Sequence, residues 1–187
     1  FRILLGDHPF KDYWTVSGPF IDYLQSLFFY ILGTNWISYI LHASILNGII
    51  SVMTFFLFKK IGLQTFYSFI YSICFAILAY PSSGTPFVDH HSTLLSVLAI
   101  YTFIFALQKD NVLIWSLIPI ILAFAFLCKQ VPASYFLLII IIVSIYHFLL
   151  NSKKNTIKSL TSIFVSTILT LTIFFLFLNF FSIKISD

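Results

Sequence analysis

Long apolar segments separated by short polar joints constrain this chain more than any other feature of its sequence. A helix needs about 20 apolar residues to cross roughly 30 Å of hydrocarbon. Six segments approach that length, at residues 36–58, 64–80, 92–107, 112–127, 131–150 and 160–181. Because lipid offers the backbone no hydrogen-bonding partner, such segments cross as helices. The sequence therefore predicts an all-α fold, a polytopic transmembrane helix bundle with about six spans.

Charged residues are too scarce for a soluble domain. They make up 9% of the chain, against about 25% in ordinary soluble domains, and the mean hydropathy is +1.02. The net charge of +4 comes from lysines at segment edges, so no nucleic-acid partner is expected. Cys74 and Cys128 lie inside apolar segments and predict neither a disulfide nor a metal site. There is no Gly-rich phosphate loop, so we expect no cofactor and no nucleotide-sugar site.

The apolar run at residues 20–32 differs from the six longer segments. It is short and carries Asp22 and Gln25 near its start, which is typical of an interfacial or re-entrant helix at the membrane surface. We therefore divide the partial membrane domain 1–187 into an external loop (1–19), an interfacial helix (20–32) and a transmembrane bundle (36–181). Small polar residues at helical spacing, such as Ser44, Asn47 and Ser51, predict helix contacts within that bundle.

Lysine positions predict the orientation. If 20–32 does not cross, the majority of the cations lie on one side and the remainder share the other side with residues 1–19. The majority are Lys59, Lys60, Lys109, Lys153, Lys154 and Lys158; the remainder are Arg2, Lys11, Lys129 and Lys184. The positive-inside rule then places the loop in the periplasm and the protein in the inner (plasma) membrane. If 20–32 crosses, the loop moves to the cytoplasm.

The loop at residues 6–20 concentrates chemically active side chains beside a membrane entrance. We expect Asp7 and Asp12 to act as catalytic carboxylates, and His8 and Lys11 to contact substrate. A carboxylate can serve as a general base and a lysine can hold a phosphate. The alternative is an interfacial belt of tyrosine and tryptophan with solvated charges.

Two further polar stretches are candidates for the same site. Asp89 and His90 open a predicted span after residues 81–86, where Asp89 is alternatively a helix N-cap. His90 and His91 are adjacent and point about 100° apart on a helix, so no shared metal is expected. Lys129 lies alone between two apolar segments, where it either snorkels to the interface or binds an anionic partner such as a lipid phosphate.

These residues resemble a known family. Their order is similar to the first external loop of the GT-C glycosyltransferases, especially the bacterial branch that resembles protein O-mannosyltransferases and lipid A aminoarabinose transferases. The matching residues are Gly6, Pro9-Phe10-Lys11-Asp12-Tyr13-Trp14, Gly18-Pro19 and Gly33. Residues 87–95 resemble the segment in which that family carries an Asp opening a span, and residues 129–132 resemble its Lys-x-x-Pro-like turn.

The resemblance implies a membrane glycosyltransferase that moves a sugar from a polyprenyl-phosphate donor to a periplasmic lipid or glycan acceptor. By analogy, Asp12 orders the loop or helps bind the acceptor, Lys129 pairs with the donor phosphate, and Asp89 braces the external face. The general base that this family places after its first span would precede Phe1, and Ser17-Gly18-Pro19 replaces the frequent His-Pro-Pro. We therefore expect a fragment that is inactive alone.

Three other classes of membrane protein fit the composition. A transporter or flippase requires charges or broken helices at the bilayer midplane, often with inverted repeats. A polysaccharide polymerase or ligase typically carries a large external loop between late spans. A non-catalytic membrane subunit would tolerate Asn at Asp12 and Asp89.

Overall fold

The part of the chain that the computed structural model describes contains a short 3-10 helix (Arg2–Leu5), seven α-helices and no β-strand. The described residues are 1–15, 17–80, 85–109, 111–150 and 153–180, apart from the side chains of 153–156, 178 and 180. The helices are α1 (Phe20–Leu32), α2 (Trp36–Lys60), α3 (Thr65–Leu78), α4 (Val88–Lys109), α5 (Val112–Cys128), α6 (Gln130–Leu150) and α7 (Lys153–Phe180). The predicted all-α membrane bundle is confirmed.

Four of these helices are long and apolar enough to cross a membrane. They are α2, α4, α6 and the part of α7 at Ile157–Phe177. The six predicted spans correspond to α2 through α7, but α3 has 14 residues and α5 has 17. The apolar segment of α3 was predicted to reach residue 80, and the helix ends at Leu78. Tyr80 precedes Pro81, and a residue before proline is disfavoured in helical conformation.

Local signals set the helix boundaries. Gly33 ends α1 with φ 81°, a left-handed value that glycine adopts without strain. Asn35 and Asn111 cap α2 and α5, because their side chains accept the backbone N–H of Ser38 and Leu113, both at 2.9 Å. Lys129 is extended (φ −158°) and separates α5 from α6.

Helix α5 lies at the centre of the bundle and packs mainly against α4. Trp115 and Ala125 of α5 are fully buried. The facing side of α4 carries small residues at helical spacing, which are Ser92, Ser96, Ala99 and Ala106. In lipid, helices associate by close packing rather than by the hydrophobic effect, and small side chains allow that approach. The contact of α4 with α5 therefore forms the core.

Polar side chains connect α2 to its neighbours. Asn47 Nδ2 donates to the carbonyl oxygen of Ala76 in α3 at 2.7 Å. The Ser44 and Tyr80 hydroxyls lie 3.1 Å apart, and Ser51 is buried. The predicted polar seam therefore marks a helix contact.

The bundle has two distinct ends. The loop end carries residues 1–19, the starts of α2, α4 and α6, and the end of α5. At this end His42 of α2 contacts His91 of α4. At the other end, Ser162 of α7 donates to the carbonyl oxygen of Val112, the first residue of α5. We call this the lysine end, because its described cations are Lys59, Lys60, Lys109 and Lys158. Lys184 and the side chains of Lys153 and Lys154 lie outside the described residues.

Helix α1 has the predicted bounds and lies across the loop end. Its first residue, Phe20, packs against Phe124 near the end of α5, with ring centroids 4.8 Å apart. In its middle, Gln25 Nε2 donates to the Ser38 carbonyl oxygen of α2 at 3.2 Å. Gly33 and the two residues after it join α1 directly to α2. Both ends of α1 are therefore at the loop end, and the helix does not traverse the bundle.

Candidate functional site

A tight turn at residues 8–12 shapes the loop. The carbonyl oxygen of His8 accepts the N–H groups of Lys11 and Asp12 at 3.2 and 2.9 Å. Asp12 Oδ2 in turn accepts the N–H of His8 at 2.8 Å. Phe10 adopts a left-handed φ of 65°, which is uncommon for a residue with a side chain. The Asp12 carboxylate thus holds this turn closed.

Two carboxylates anchor the rest of the loop. Asp7 accepts a hydrogen bond from Arg2 Nε at 2.9 Å, and the Arg2 guanidinium lies 4.5 Å from the centre of the Tyr13 ring. The Tyr13 hydroxyl donates to Asp22 Oδ2 of α1 at 3.2 Å. The loop is therefore fastened to α1 through Tyr13.

Burial keeps the phenols of this site protonated. It raises the pKa of Tyr13, and the neighbouring Asp22 carboxylate adds to that rise. Burial also raises the pKa of Asp22. The pKa of Tyr23 rises to about 12 because of burial, then the charges of Asp22 and Asp12. His8 Nδ1 lies 3.1 Å from the Tyr23 hydroxyl. Both phenols therefore act as neutral hydrogen-bonding groups.

Gly18 docks the loop against α5. Its N–H donates to the carbonyl oxygen of Cys128 at 3.1 Å. A Cβ at this position would overlap the backbone carbonyl of Leu127. Gly18 is therefore required by a close backbone approach rather than by its φ.

Asp89 and Lys129 form an ion pair at the loop end. Asp89 lies in the first turn of α4, which begins at Val88, so it is not the N-cap. The Lys129 carbonyl oxygen accepts the hydroxyl of Ser92 at 2.8 Å, which fixes its backbone against α4. Both side chains reach solvent, with 61% of Asp89 and 37% of Lys129 exposed. The two predicted site residues therefore contact each other.

His90 and His91 diverge, as adjacent helical residues must. His90 Nε2 lies 3.1 Å from the carbonyl oxygen of Ala79, and its buried Nδ1 has no partner among the described residues. His91 turns instead toward α2. The described residues contain no group of three or more His, Cys, Asp or Glu that could hold a metal ion.

A buried polar chain that the sequence did not reveal crosses three helices. His91 Nε2 lies 2.9 Å from His42 Nδ1, and His42 Nε2 lies 2.7 Å from Gln25 Oε1. His91 Nδ1 lies 3.1 Å from the Phe87 carbonyl oxygen. The Gln25 and Phe87 oxygens at the two ends can only accept hydrogen bonds. The three contacts therefore need three N–H protons, whereas two neutral imidazoles carry two. A third proton would complete the chain, which ties α1 to α2 and α4.

An apolar groove of about 1000 Å³ opens beside the loop. It lies between α5, α6 and α7, and its walls are almost entirely hydrocarbon. We call its loop end the mouth, where the lining residues are Phe10, Trp14, Gly18, Pro19 and Gln130. Trp115 and Phe148 line it toward the lysine end. The volume is at the upper limit of ordinary small-molecule pockets.

The structure brings the predicted site residues to one end of the bundle. Asp7, His8, Lys11 and Asp12 lie in the loop, whose Gly18 contacts the residue just before Lys129. Lys11 is exposed, follows the mouth residue Phe10, and forms no ion pair with any described carboxylate. Residues 81–84 of the second predicted stretch lie outside the described residues. The predicted site residues thus gather at the loop end, but none of them lines the groove, which the loop reaches through Phe10, Trp14, Gly18 and Pro19.

One comparison with known proteins gives a match. A family model described as dolichyl-phosphate-mannose-protein mannosyltransferase matches residues 7–180. No curated protein and no solved structure matches the chain.

Replacing Gly18 with alanine should detach the loop from α5. The added Cβ would overlap the Leu127 carbonyl, and we expect a destabilisation of about 1–3 kcal/mol. Thermal unfolding in detergent and limited proteolysis after Lys11 measure the two effects. The matched control is Gly48→Ala in α2, where a Cβ meets nothing within 4 Å and alanine favours the helix by roughly 0.5–1 kcal/mol. Equal melting and cleavage of the Gly18 variant and wild type would contradict the docking.

Proposed function

The chain belongs to the dolichyl-phosphate-mannose-protein mannosyltransferase family, and from this premise we propose that it transfers a sugar from a polyprenyl-phosphate donor to an acceptor at the loop end. The family is one of membrane glycosyltransferases, and the described helices are those of a membrane bundle. The observation that supports this donor is the apolar groove whose mouth is formed by the polar loop.

The groove has the shape and chemistry of a site for an isoprenoid tail. Its walls run along α6 from Gln130 to Phe148, a distance of about 27 Å at 1.5 Å per residue. Hydrocarbon walls favour an apolar chain over water, and little of α6 and α7 is buried by the rest of the protein. A tail can therefore enter sideways while the phosphate stays at the level of the loop.

Cations at the loop end are our candidates for holding the donor phosphate. Lys129 lies next to the mouth residue Gln130, and Lys11 follows the mouth residue Phe10. In the structure Lys129 forms an ion pair with Asp89, so a phosphate has to compete with the Asp89 carboxylate for the lysine. Because the phosphate gains negative charge as the sugar leaves, these cations stabilise the transition state more than the ground state.

The proposed reaction is a displacement at the anomeric carbon. An acceptor oxygen forms a bond to that carbon, the bond from the carbon to the phosphate oxygen breaks, and polyprenyl phosphate leaves. The acceptor proton passes to a carboxylate base. Asp7 and Asp12 remain our candidates on this chain; the bond from the His8 N–H to Asp12 favours a loop-ordering role for Asp12. His8 and His90 are candidates for contacting the sugar or the acceptor.

We further propose that the loop end faces the periplasm of an inner-membrane protein. The cations Lys59, Lys60, Lys109 and Lys158 gather at the opposite end, which the positive-inside rule assigns to the cytoplasm. Helix α1 would then lie along the outer surface of the membrane, consistent with both of its ends being at the loop end.

Filling the groove should weaken donor binding. Ser144 of α6 lines the groove and Ile142 faces away from it. We expect Ser144→Phe to lower the affinity for long-chain polyprenyl-phosphate mannose by about tenfold or more, with Ile142→Phe unchanged. Ligand-induced thermal shifts in detergent give the affinities. The two variants should differ less in their affinity for a donor with a very short tail. A loss of affinity in Ser144→Phe that is independent of tail length would count against the groove as the tail site.

Changes to the ion pair should have opposite effects on donor affinity. Lys129→Met removes a charged hydrogen-bond donor and should weaken binding of the same donor by about 10- to 100-fold. Asp89→Asn releases Lys129 from the ion pair and should tighten donor binding. The pair is exposed, so neither change should lower stability much. Lys158→Met, at the lysine end, is the matched control. Unchanged affinity in Lys129→Met would remove Lys129 from the site.

Thiol labelling of intact cells checks the orientation. In a Cys74→Ser, Cys128→Ser background, single cysteines at Asp12, Asp89 and Lys129 should react with a membrane-impermeant reagent. Cysteines at Lys60 and Lys109 should react only after permeabilisation. Protection of position 12 with labelling at 89 would mean that α1 crosses the membrane and that the proposed site is split.

A further inference from the structure

A second groove lies at the lysine end, away from the candidate site. It has a volume of about 490 Å³ and lies between α2, α4 and α5. Its residues follow helical spacing on each helix: Met53, Phe56 and Lys60 of α2, Thr102, Phe105 and Lys109 of α4, and Ile114 and Leu117 of α5. Each contributing helix therefore presents one continuous stripe to the groove.

The two lysines stand at matching positions on parallel helices. Lys60 is the last residue of α2 and Lys109 is the last residue of α4. The Lys60 ammonium lies 5.7 Å from the centre of the Phe105 ring, which directs it over the groove. No carboxylate among the described residues forms an ion pair with either lysine. Two ammonium groups thus share one opening without a described counter-charge.

Below the lysines the groove is apolar. From Lys60 down to Met53 the wall extends about 10 Å along α2 at 1.5 Å per residue, and Phe56, Phe105 and Leu117 line it. An opening with two cations above a hydrocarbon wall, at the level where a membrane helix ends, matches a lipid that has an anionic headgroup and acyl chains. Basic pockets between membrane helices bind such lipids.

We propose that this groove binds one anionic phospholipid, with its phosphate between Lys60 and Lys109 and an acyl chain against Phe56, Phe105 and Leu117. A free phosphate would gain the charges but leave the apolar wall empty. A zwitterionic lipid would fill the wall but gain less from the two cations. The site is distinct from the donor groove, because it lies on the other side of α5 and shares no lining residue with it. It does not depend on the proposed reaction.

The experiment measures phospholipid retained by the full chain released from nanodiscs, using native mass spectrometry. The probes are phosphatidylglycerol and phosphatidylcholine with identical acyl chains. We expect one phosphatidylglycerol to be retained in preference to phosphatidylcholine. Replacing both Lys60 and Lys109 with glutamine should weaken that preference by roughly 25-fold, at about fivefold for each lysine near a membrane surface. The matched control, Lys59→Gln with Lys158→Gln, removes the same charge at the same end and should retain the lipid.

A second pair of variants separates the headgroup from the chain. Leu117→Trp fills the apolar wall and keeps both lysines, so it should also lose the lipid, whereas Leu113→Trp outside the groove should not. Millimolar inorganic phosphate should not displace the bound lipid. If phosphate displaces it and Leu117→Trp has no effect, the site binds a soluble anion and the proposal fails. Equal retention by the Lys60/Lys109 variant and its control would also overturn it.

Discussion

Polar groups inside a membrane protein must find their partners within the protein, and one series of polar side-chain contacts at the loop end joins three helices at once. Gln25, His42 and His91 come from α1, α2 and α4 and are all buried. Leaving any of them unpaired would cost about 1–3 kcal/mol for each buried group. These contacts therefore hold α1 across the loop end, and α1 in turn supports the loop.

The placement of the loop follows from that constraint. Pro19 and Phe20 start α1 beside α5, which brings Gly18 close enough to bond the Cys128 carbonyl. The same segment of α5 leads into Lys129, so the loop, the ion pair and the groove mouth are consecutive along one short stretch of surface. A small residue at position 18 thus has a large consequence, because it sets the distance between the polar loop and the apolar groove.

The two grooves lie on different faces of α5. Both use α5 as a shared wall. The larger groove opens beside the loop with its carboxylates, and the smaller one opens beneath two lysines. This arrangement places a proposed donor site and a proposed lipid site on different faces of α5, so a lipid bound in one groove need not compete with the donor in the other.

Local features of the sequence determined the helices and their ends. The apolar lengths, Gly33, Asn35 and Pro81 each act within a few residues, and α1 has the bounds that its composition predicted. The loop was also recognisable from Asp7 to Trp14, because its residues are polar between apolar segments. Only the tertiary structure decided which helix faces meet. The ion pair of Asp89 with Lys129, the contact of His42 with His91, and both grooves join residues far apart in the chain. In a membrane the lipid-facing and buried sides of a helix are both apolar, so hydrophobicity does not distinguish them, and packing of small and polar side chains makes the choice.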